Sequence, residues 1–252
     1  MNDKIKLIER MNPFLKILIL IVVTLIGSFE FMPFLPLVLT LLALITIVLF
    51  SDLKMLDLFK AVKVFIIMSI GYMGFILLAR YISGQPLMII TVLGLGFKII
   101  LISVYSAIFV KTTDPTELVI SLIKYFKVSP KFAYAFLTAY RFLPTFKEEF
   151  EIIKHAHQVR GIEESKNVLL KIWNTKRYII PMMATAVRKG IRISMSMETR
   201  AFGKTKCRTY YRKLTLHKDE IIYLIIYILA VLSITLILSY FGLTNLGLKF
   251  VS

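Results

Sequence analysis

Five apolar runs, at 14–29, 33–50, 62–79, 87–110 and 221–241, set the limits on what this chain can fold into. Each comes close to the ~20 residues a helix needs to cross ~30 Å of hydrocarbon. The chain is 58% hydrophobic with a mean hydropathy of +0.77, against roughly 45–50% apolar for a soluble domain. Lipid is therefore the expected solvent for much of it, and five runs at spanning length set aside a large soluble all-α protein. The run at 14–29 is the shortest, and Lys16 near its start is placed to snorkel toward the interface. No run carries the small-residue cleavage site of a signal peptide, so the first is read as a retained span.

Charge gives the runs an orientation. The net charge is +17, and the block 111–220 holds 22 Lys/Arg against 10 Asp/Glu. That block is too long to weigh fully in the positive-inside rule. The short tail with Lys4, Lys6 and Arg10, the loop with Lys54 and Lys60, and the flanking Lys111 and Lys218 nevertheless agree. They place the N-terminus, the second loop and the block in the cytoplasm; Arg80 and Lys249 fall on the other side. Aromatic residues interleave with the basic ones from Tyr125 to Phe142, but on helices they read as packing residues. Positive charge is ordinary for cytoplasmic segments beside anionic lipid, and no nucleic-acid-binding motif accompanies it. Nucleic acid is thus not an expected partner. A single cysteine, Cys207, allows neither an internal disulfide nor a cysteine metal cluster.

The expected architecture is all-α and polytopic. Four spans occupy 1–110, a cytoplasmic helical block 111–220, and a closing span with its tail 221–252. Within the block, Asp114, Pro115 and Glu117 supply an N-cap, a first-position proline and a third-position acid, which predicts a short helix over 115–126. Ser129 and Pro130 repeat the start signal and open a helix over 130–160 that Gly161 stops. Pro144 lies inside it and should kink it. After a connection near 162–175 containing Trp173, a second long helix covers 176–200, with Pro181 near its first turn, where it costs less.

Both long helices carry apolar stripes ending in arginine. Back from Arg200 the spacing gives Met197, Ile193, Gly190, Ala186 and Met182; back from Arg160 it gives Ala156, Ile153, Phe146 and Phe142, interrupted by Glu149. The stripes read as packing surfaces, with Ala156, Ala186 and Gly190 small enough for another helix to cross closely. Each arginine has two readings that the residues alone leave open. A cation at a helix C-terminus is favoured by ~0.3–1 kcal/mol. A guanidinium flanked by small or β-branched residues is also free to offer its planar fork to an acidic pocket.

Other motifs carry less. Gly203, Lys204 and Thr205 resemble the end of a phosphate loop, but Glu198 stands where that loop needs glycine and no strand precedes it. His155 and His157 are two apart on a helix and diverge, which is the wrong spacing for shared metal ligation. No Gly-x-Ser-x-Gly elbow appears. Lys98 is the one charge deep in an apolar run; it marks either a functional site or, beside Gly94 and Gly96, a broken or re-entrant turn.

From 112 to 203 the chain resembles the transmembrane coupling (T) component of energy-coupling-factor transporters. The resemblance is carried by Thr113-Asp114-Pro115-Thr116-Glu117, Tyr140-Arg141-Phe142-Leu143-Pro144, Ala156-His157-Gln158-Val159-Arg160-Gly161, Pro181 with Arg188, and Met197-Glu198-Thr199-Arg200-Ala201-Phe202-Gly203. The order and separation of these motifs are specific; any one alone is weak. Outside them the spans match only in number and placement. The family pattern is Ala-Arg-Gly at both arginines, and the chain departs from it at Val159, Thr199 and Ala201.

The resemblance implies a non-catalytic subunit of an importer for vitamins or metal ions in a prokaryotic cell membrane. Two ATP-binding-cassette subunits would bind ATP and magnesium, and this chain no cofactor or metal of its own. Arg160 and Arg200, framed by Val159, Gly161, Thr199 and Ala201, would enter acidic grooves on those ATPases. Arg141, Pro144, Pro181, Arg188 and Gly190 would support the coupling helices. A small membrane protein, the S component, would bind the cargo. Two rivals differ in kind. A conventional importer permease would line several spans with polar residues, whereas these are almost purely apolar; a lipid-modifying enzyme would cluster acids or histidines near the interface, whereas Glu30, Asp52 and Asp57 are scattered.

Overall fold

A computed structural model of the chain describes residues 7–161, 176–202 and 214–244. The connection with Trp173, the Gly203, Lys204 and Thr205 turn, Cys207, and the tail charges Lys4, Lys6 and Lys249 lie outside the described residues. The described residues form helices α1 (Leu7–Arg10), α2 (Pro13–Ser28), α3 (Phe34–Phe50), α4 (Met55–Ile82), α5 (Ile89–Thr112), α6 (Pro115–Tyr125), α7 (Pro130–Val159), α8 (Lys176–Thr199) and α9 (Lys218–Tyr240). The protein is an all-α, multi-pass membrane protein. It folds as two compact units, one of residues 1–121 and 214–252, the other of residues 122–213.

In the first unit, the apolar runs become helices of unequal reach. α4, α5 and α9, with 28, 24 and 23 residues, are long and apolar enough to cross a bilayer. α2 and α3 have only 16 and 17 residues, about 24–26 Å at 1.5 Å per residue. The expectation of five runs at full spanning length thus holds for three helices. The other two keep nearly the length of their apolar runs and are separated by the turn at Glu30, whose Oε1 accepts from the backbone N–H groups of Phe31 at 3.1 Å and Met32 at 2.9 Å. These backbone bonds give the fully buried Glu30 side chain its place. The N-terminus of α2 is capped as its sequence dictates: Asn12 Oδ1 accepts from Phe14 N–H at 3.0 Å and Pro13 takes the first helical position.

The core of this unit lies where α2, α3, α5 and α9 meet, with α4 closing one side. Leu35, Leu39, Leu101 and Val231 are fully buried there. Tyr105 bridges three helices: its hydroxyl donates to Leu39 O at 3.1 Å and lies 2.6 Å from the Tyr227 hydroxyl. With Tyr105 donating to Leu39, Tyr227 donates to Tyr105. Polar groups at membrane depth are satisfied in this way by neighbouring helices. The outer faces of the spans are largely apolar, and only 11% of the most apolar stretch of α4 is buried within the chain. A helix hydrophobic all round is a lipid-facing or core helix, and this one faces lipid.

The question raised by Lys98 is answered by the path of α5. The helix runs unbroken through Gly94, Gly96 and Lys98, so there is no re-entrant turn. Gly94 is instead a contact glycine, because a Cβ there would run into the Phe31 carbonyl oxygen. That close approach brings Lys98 Nζ within 2.8 Å of Ser28 O, the open carbonyl end of α2, and 4.6 Å from the Phe31 ring centroid. A cation over a ring and at a helix C-terminus is favoured twice.

A polar cap opens α6, the last helix of the first unit before the chain enters the second. Asp114 Oδ1 accepts from Thr116 N–H at 2.7 Å, the cap expected for α6. Val119, Ile120 and Ser121 of α6 are buried, and the first compact unit extends to Ser121. Ser129 precedes α7 and Pro130 opens it, although the Ser129 side chain makes no capping bond.

Candidate partner-docking site

α7 and α8 form an antiparallel pair. Near the start of α7, the Tyr134 ring meets Phe202, just past the end of α8, with centroids 5.4 Å apart. Near the end of α7, Phe150 and His157 both meet Tyr178 in the first turn of α8, at 5.5 and 5.4 Å. The C-terminal ends of the two helices therefore lie at opposite ends of the pair. From Tyr134 to Arg160 is a helix length on the order of 40 Å, which is the scale of the separation between Arg160 and Arg200.

Both arginines occupy the same place in the same local structure. Arg160 and Arg200 directly follow the last helical residues, Val159 and Thr199. The residue after each is left-handed, Gly161 at φ +77° and Ala201 at φ +53°. Gly161 N–H returns to Gln158 O at 2.9 Å, and Ala201 N–H to Glu198 O at 2.9 Å. At the second site Phe202 N–H closes onto Met197 O at 2.9 Å, completing a Schellman cap. The sequence predicted helix ends at both arginines, and the backbone turns sharply there. Val159, Arg160, Gly161, Thr199, Arg200 and Ala201 are all exposed, Val159 at 89%. An apolar side chain so open beside an arginine fork is a surface with nothing yet against it within this unit.

The supporting positions are spread along the same helices. Arg141 and Pro144 stand exposed on α7, and Pro181 is half-buried in α8 with its carbonyl accepting from Thr185 Oγ1 at 2.6 Å. Arg188 is exposed and turns back on its own helix, its Nε donating to Ala184 O at 3.2 Å. The two histidines serve different neighbours, His155 Nδ1 lying 3.1 Å from Gln158 Oε1 while His157 meets Tyr178 edge to face.

The stripes face each other but do not close. Phe142 and Phe146 oppose Ala186, Gly190, Ile193 and Met197 across a cleft of about 380 Å³. The expected close crossing at Gly190 is not made, since a Cβ there would meet nothing within 4 Å. Alanine and glycine supply too little volume to fill the gap between two aromatic-bearing turns. Glu149, which breaks the stripe in sequence, is held by an ion pair with Lys189. Sequence reasoning missed Lys189 as the partner of Glu149, and it named Phe202 only as part of a motif, without its contact to Tyr134. The signal for Phe202 was available: an apolar residue one past the left-handed position commonly packs back on its helix.

Residues 5–211 match the CbiQ family, described as cobalt transport protein. This chain belongs to the CbiQ family. Among relatives of this CbiQ-family chain, the energy-coupling factor transporter transmembrane protein EcfT of Streptococcus thermophilus is 28% identical over 151 residues, 57% of this chain and 56% of that one. The EcfT protein of Limosilactobacillus fermentum is 28% identical over 144 residues, 54% of each chain. That of Macrococcus caseolyticus is 29% identical over 154 residues, 58% of this chain and 57% of that one. The chain spans about half the length of the curated relatives it matches. The family match, covering α1 to α8, takes in both capped arginines.

Proposed function

We propose that the chain is the transmembrane coupling component of an ATP-driven, energy-coupling-factor-type importer of vitamins or metal ions. The observation that carries this reading is the pair of exposed, similarly capped arginines at opposite ends of the α7–α8 pair. Two docking points on the order of 40 Å apart are too far separated for one groove and fit two copies of a partner, or two related ones. On this reading each guanidinium enters an acidic groove of one ATP-binding-cassette subunit, where a bidentate carboxylate pair fixes its orientation. ATP is bound and hydrolysed by those subunits. The α7–α8 unit lies on the cytoplasmic side with the N-terminus, as the short-loop charges favour.

The small-residue cleft supports the second half of the reading. Ala135, Ala139, Ala186 and Gly190 line it, and small residues are what a membrane helix packs against at close range. A cargo-binding S component seated there would be moved when the ATPases close and shift the two arginine ends.

The test is co-purification. Arg160→Glu with Arg200→Glu is expected to abolish retention of the ATPases while the chain still inserts in the membrane. Truncating one partner of a buried charge pair costs about 2–5 kcal/mol, and reversal adds repulsion. Each single reversal should lower ATPase recovery by about half, because one docking point remains. Full retention by the double variant would overturn the assignment.

A further inference from the structure

The membrane unit contains a buried cation whose hydrogen bonds are not all used. Its place in the sequence predicts that Lys16 snorkels outward, but the side chain turns inward and is only 7% exposed. An ammonium carries three N–H donors. One goes to Thr112 O at 2.6 Å, and a second reaches Glu9 O only at 3.5 Å. Among the described residues the third finds no acceptor, and no carboxylate lies within ion-pair distance of Nζ. Glu117, Glu9 and Glu220 act on the ammonium only from longer range. A buried charge short of partners is costly, and native interiors supply the missing partner from protein or from ordered water.

A second atom beside it is also short of a partner. Thr112 is 8% exposed, and its Oγ1 forms no hydrogen bond among the described residues. Lys16 and Thr112 share the wall of one chamber of about 50 Å³ with Met11, Phe109, Tyr223 and Tyr227 among others. A single water needs about 10–15 Å³, so the chamber takes one to a few waters and nothing as large as an acyl chain. Cavities that stay dry are apolar, and this one has an ammonium and hydroxyls on its wall. No carboxylate lines it, which leaves a metal ion without a ligand beside the ammonium. The three carboxylates farther off disfavour a small anion. A neutral molecule that both accepts and donates hydrogen bonds is what remains.

We propose that this chamber holds ordered water, one molecule accepting the spare N–H of Lys16 and donating to Thr112 Oγ1. The water completes the shell of a charge buried where α2 meets the end of α5, so the lysine stays inside without a carboxylate against it.

The experiment uses the full chain crystallised in a lipidic mesophase, once with chloride and once with bromide as the salt. A water peak within hydrogen-bonding distance of both Lys16 Nζ and Thr112 Oγ1 is expected. A chamber without density, or a bromide anomalous peak beside Nζ, would overturn the proposal, and neither reading needs a variant to fold. X-ray hydroxyl-radical footprinting tests the same site in solution, because bound water releases radicals in place. Met11, on the chamber wall and only 1% exposed, should be oxidised in proportion to dose in the unaltered chain. Thr112→Val should lower that oxidation, and Lys16→Leu, taken from the folded peak on size exclusion, should lose it. An unoxidised Met11 in the unaltered chain, or undiminished oxidation in folded Lys16→Leu, would also sink the idea. No readout involves the ATPases, so failure here leaves the coupling assignment standing.

Discussion

The backbone N–H of Asn12 donates to Glu220 Oε2 at 3.2 Å, across 208 positions of the sequence. Both residues are buried, Asn12 at 1% and Glu220 at 6% exposure. Asn12 Oδ1 also accepts from Phe14 N–H at 3.0 Å and from Ser121 Oγ at 3.4 Å. One turn on, Lys16 Nζ donates to Thr112 O at 2.6 Å. Four helices, α2, α5, α6 and α9, are thereby joined at one end of the membrane unit by a few polar contacts. An apolar bundle in lipid has little hydrophobic drive to choose its register, and this cluster supplies a choice.

Glu220→Ala should therefore destabilise the membrane unit more than a typical span substitution. A hydrogen bond to a charged group is worth about 1.5–3 kcal/mol, and the Asn12 N–H would be left buried without its acceptor. Glu220→Gln keeps an acceptor and should lose less. Thermal unfolding in detergent measures both; Asp219→Ala, on the exposed neighbour, is the control and should leave Tm unchanged. Equal Tm values for Glu220→Ala and Asp219→Ala would show that the cluster does not fix the bundle.

The two arginine caps differ in one atom that matters. Gly161 adopts its left-handed φ freely, whereas Ala201 adopts φ +53° with a Cβ in place. A left-handed non-glycine residue costs roughly 1–2 kcal/mol. Ala201→Gly is expected to stabilise the end of α8, and Gly161→Ala to destabilise the end of α7, by about 1 kcal/mol each in opposite senses. Amide hydrogen exchange at Ala201, Phe202 and Gly161 reads the two ends separately. Ala201 thus puts a backbone strain at the end of α8 that Gly161 spares the end of α7.

Much of this could be read from the residues in order. Asp114-Pro115, Ser129-Pro130 and Gly161 are local signals, and each marks a helix end in the structure. The place of the two arginines at helix ends was legible in the same way. What escaped was non-local. Nothing near Gly94 says that Phe31 will press against it, and nothing near Glu149 names Lys189 as its partner. The lengths of α2 and α3 follow their apolar runs, but the way Glu30 folds back on the turn between them is a contact that hydropathy does not register. The unfilled cleft beside Gly190 was misjudged because a stripe shows which residues share a face but not whether their volumes fill the space.

Gly94→Ala tests one of those hidden contacts. A Cβ at 94 meets backbone of the 29–33 turn, which has no side-chain rotamer to move aside. Overpacking of this kind costs typically about 1–3 kcal/mol. Gly74→Ala, where a Cβ meets nothing within 4 Å, should be neutral or slightly stabilising through helix propensity. The pair is compared by detergent unfolding midpoints. A neutral Gly94→Ala would mean that the turn can shift at little cost and that Lys98 does not depend on it.

The ion pair between Glu149 and Lys189 tests how the α7–α8 pair keeps its geometry. It is half-buried and lies at one edge of the open cleft, where aromatic contacts on either side leave the middle of the pair underpacked. Glu149→Lys sets two cations facing each other, and Lys189→Glu two carboxylates; either should spread the helices. The exchanged double variant restores the attraction. A partly exposed pair carries a coupling energy of roughly 0.5–1 kcal/mol, small in stability but acting at the one place where side-chain packing does not hold the helices together. Spin labels replacing Val159 and Thr199, both exposed, would report the distance between the two arginine ends. A broader distance distribution in each single variant, narrowed again in the double, is the expected result. If all three variants match the parent, the ring contacts at the ends alone set the spacing, and the ion pair does not hold the α7–α8 geometry.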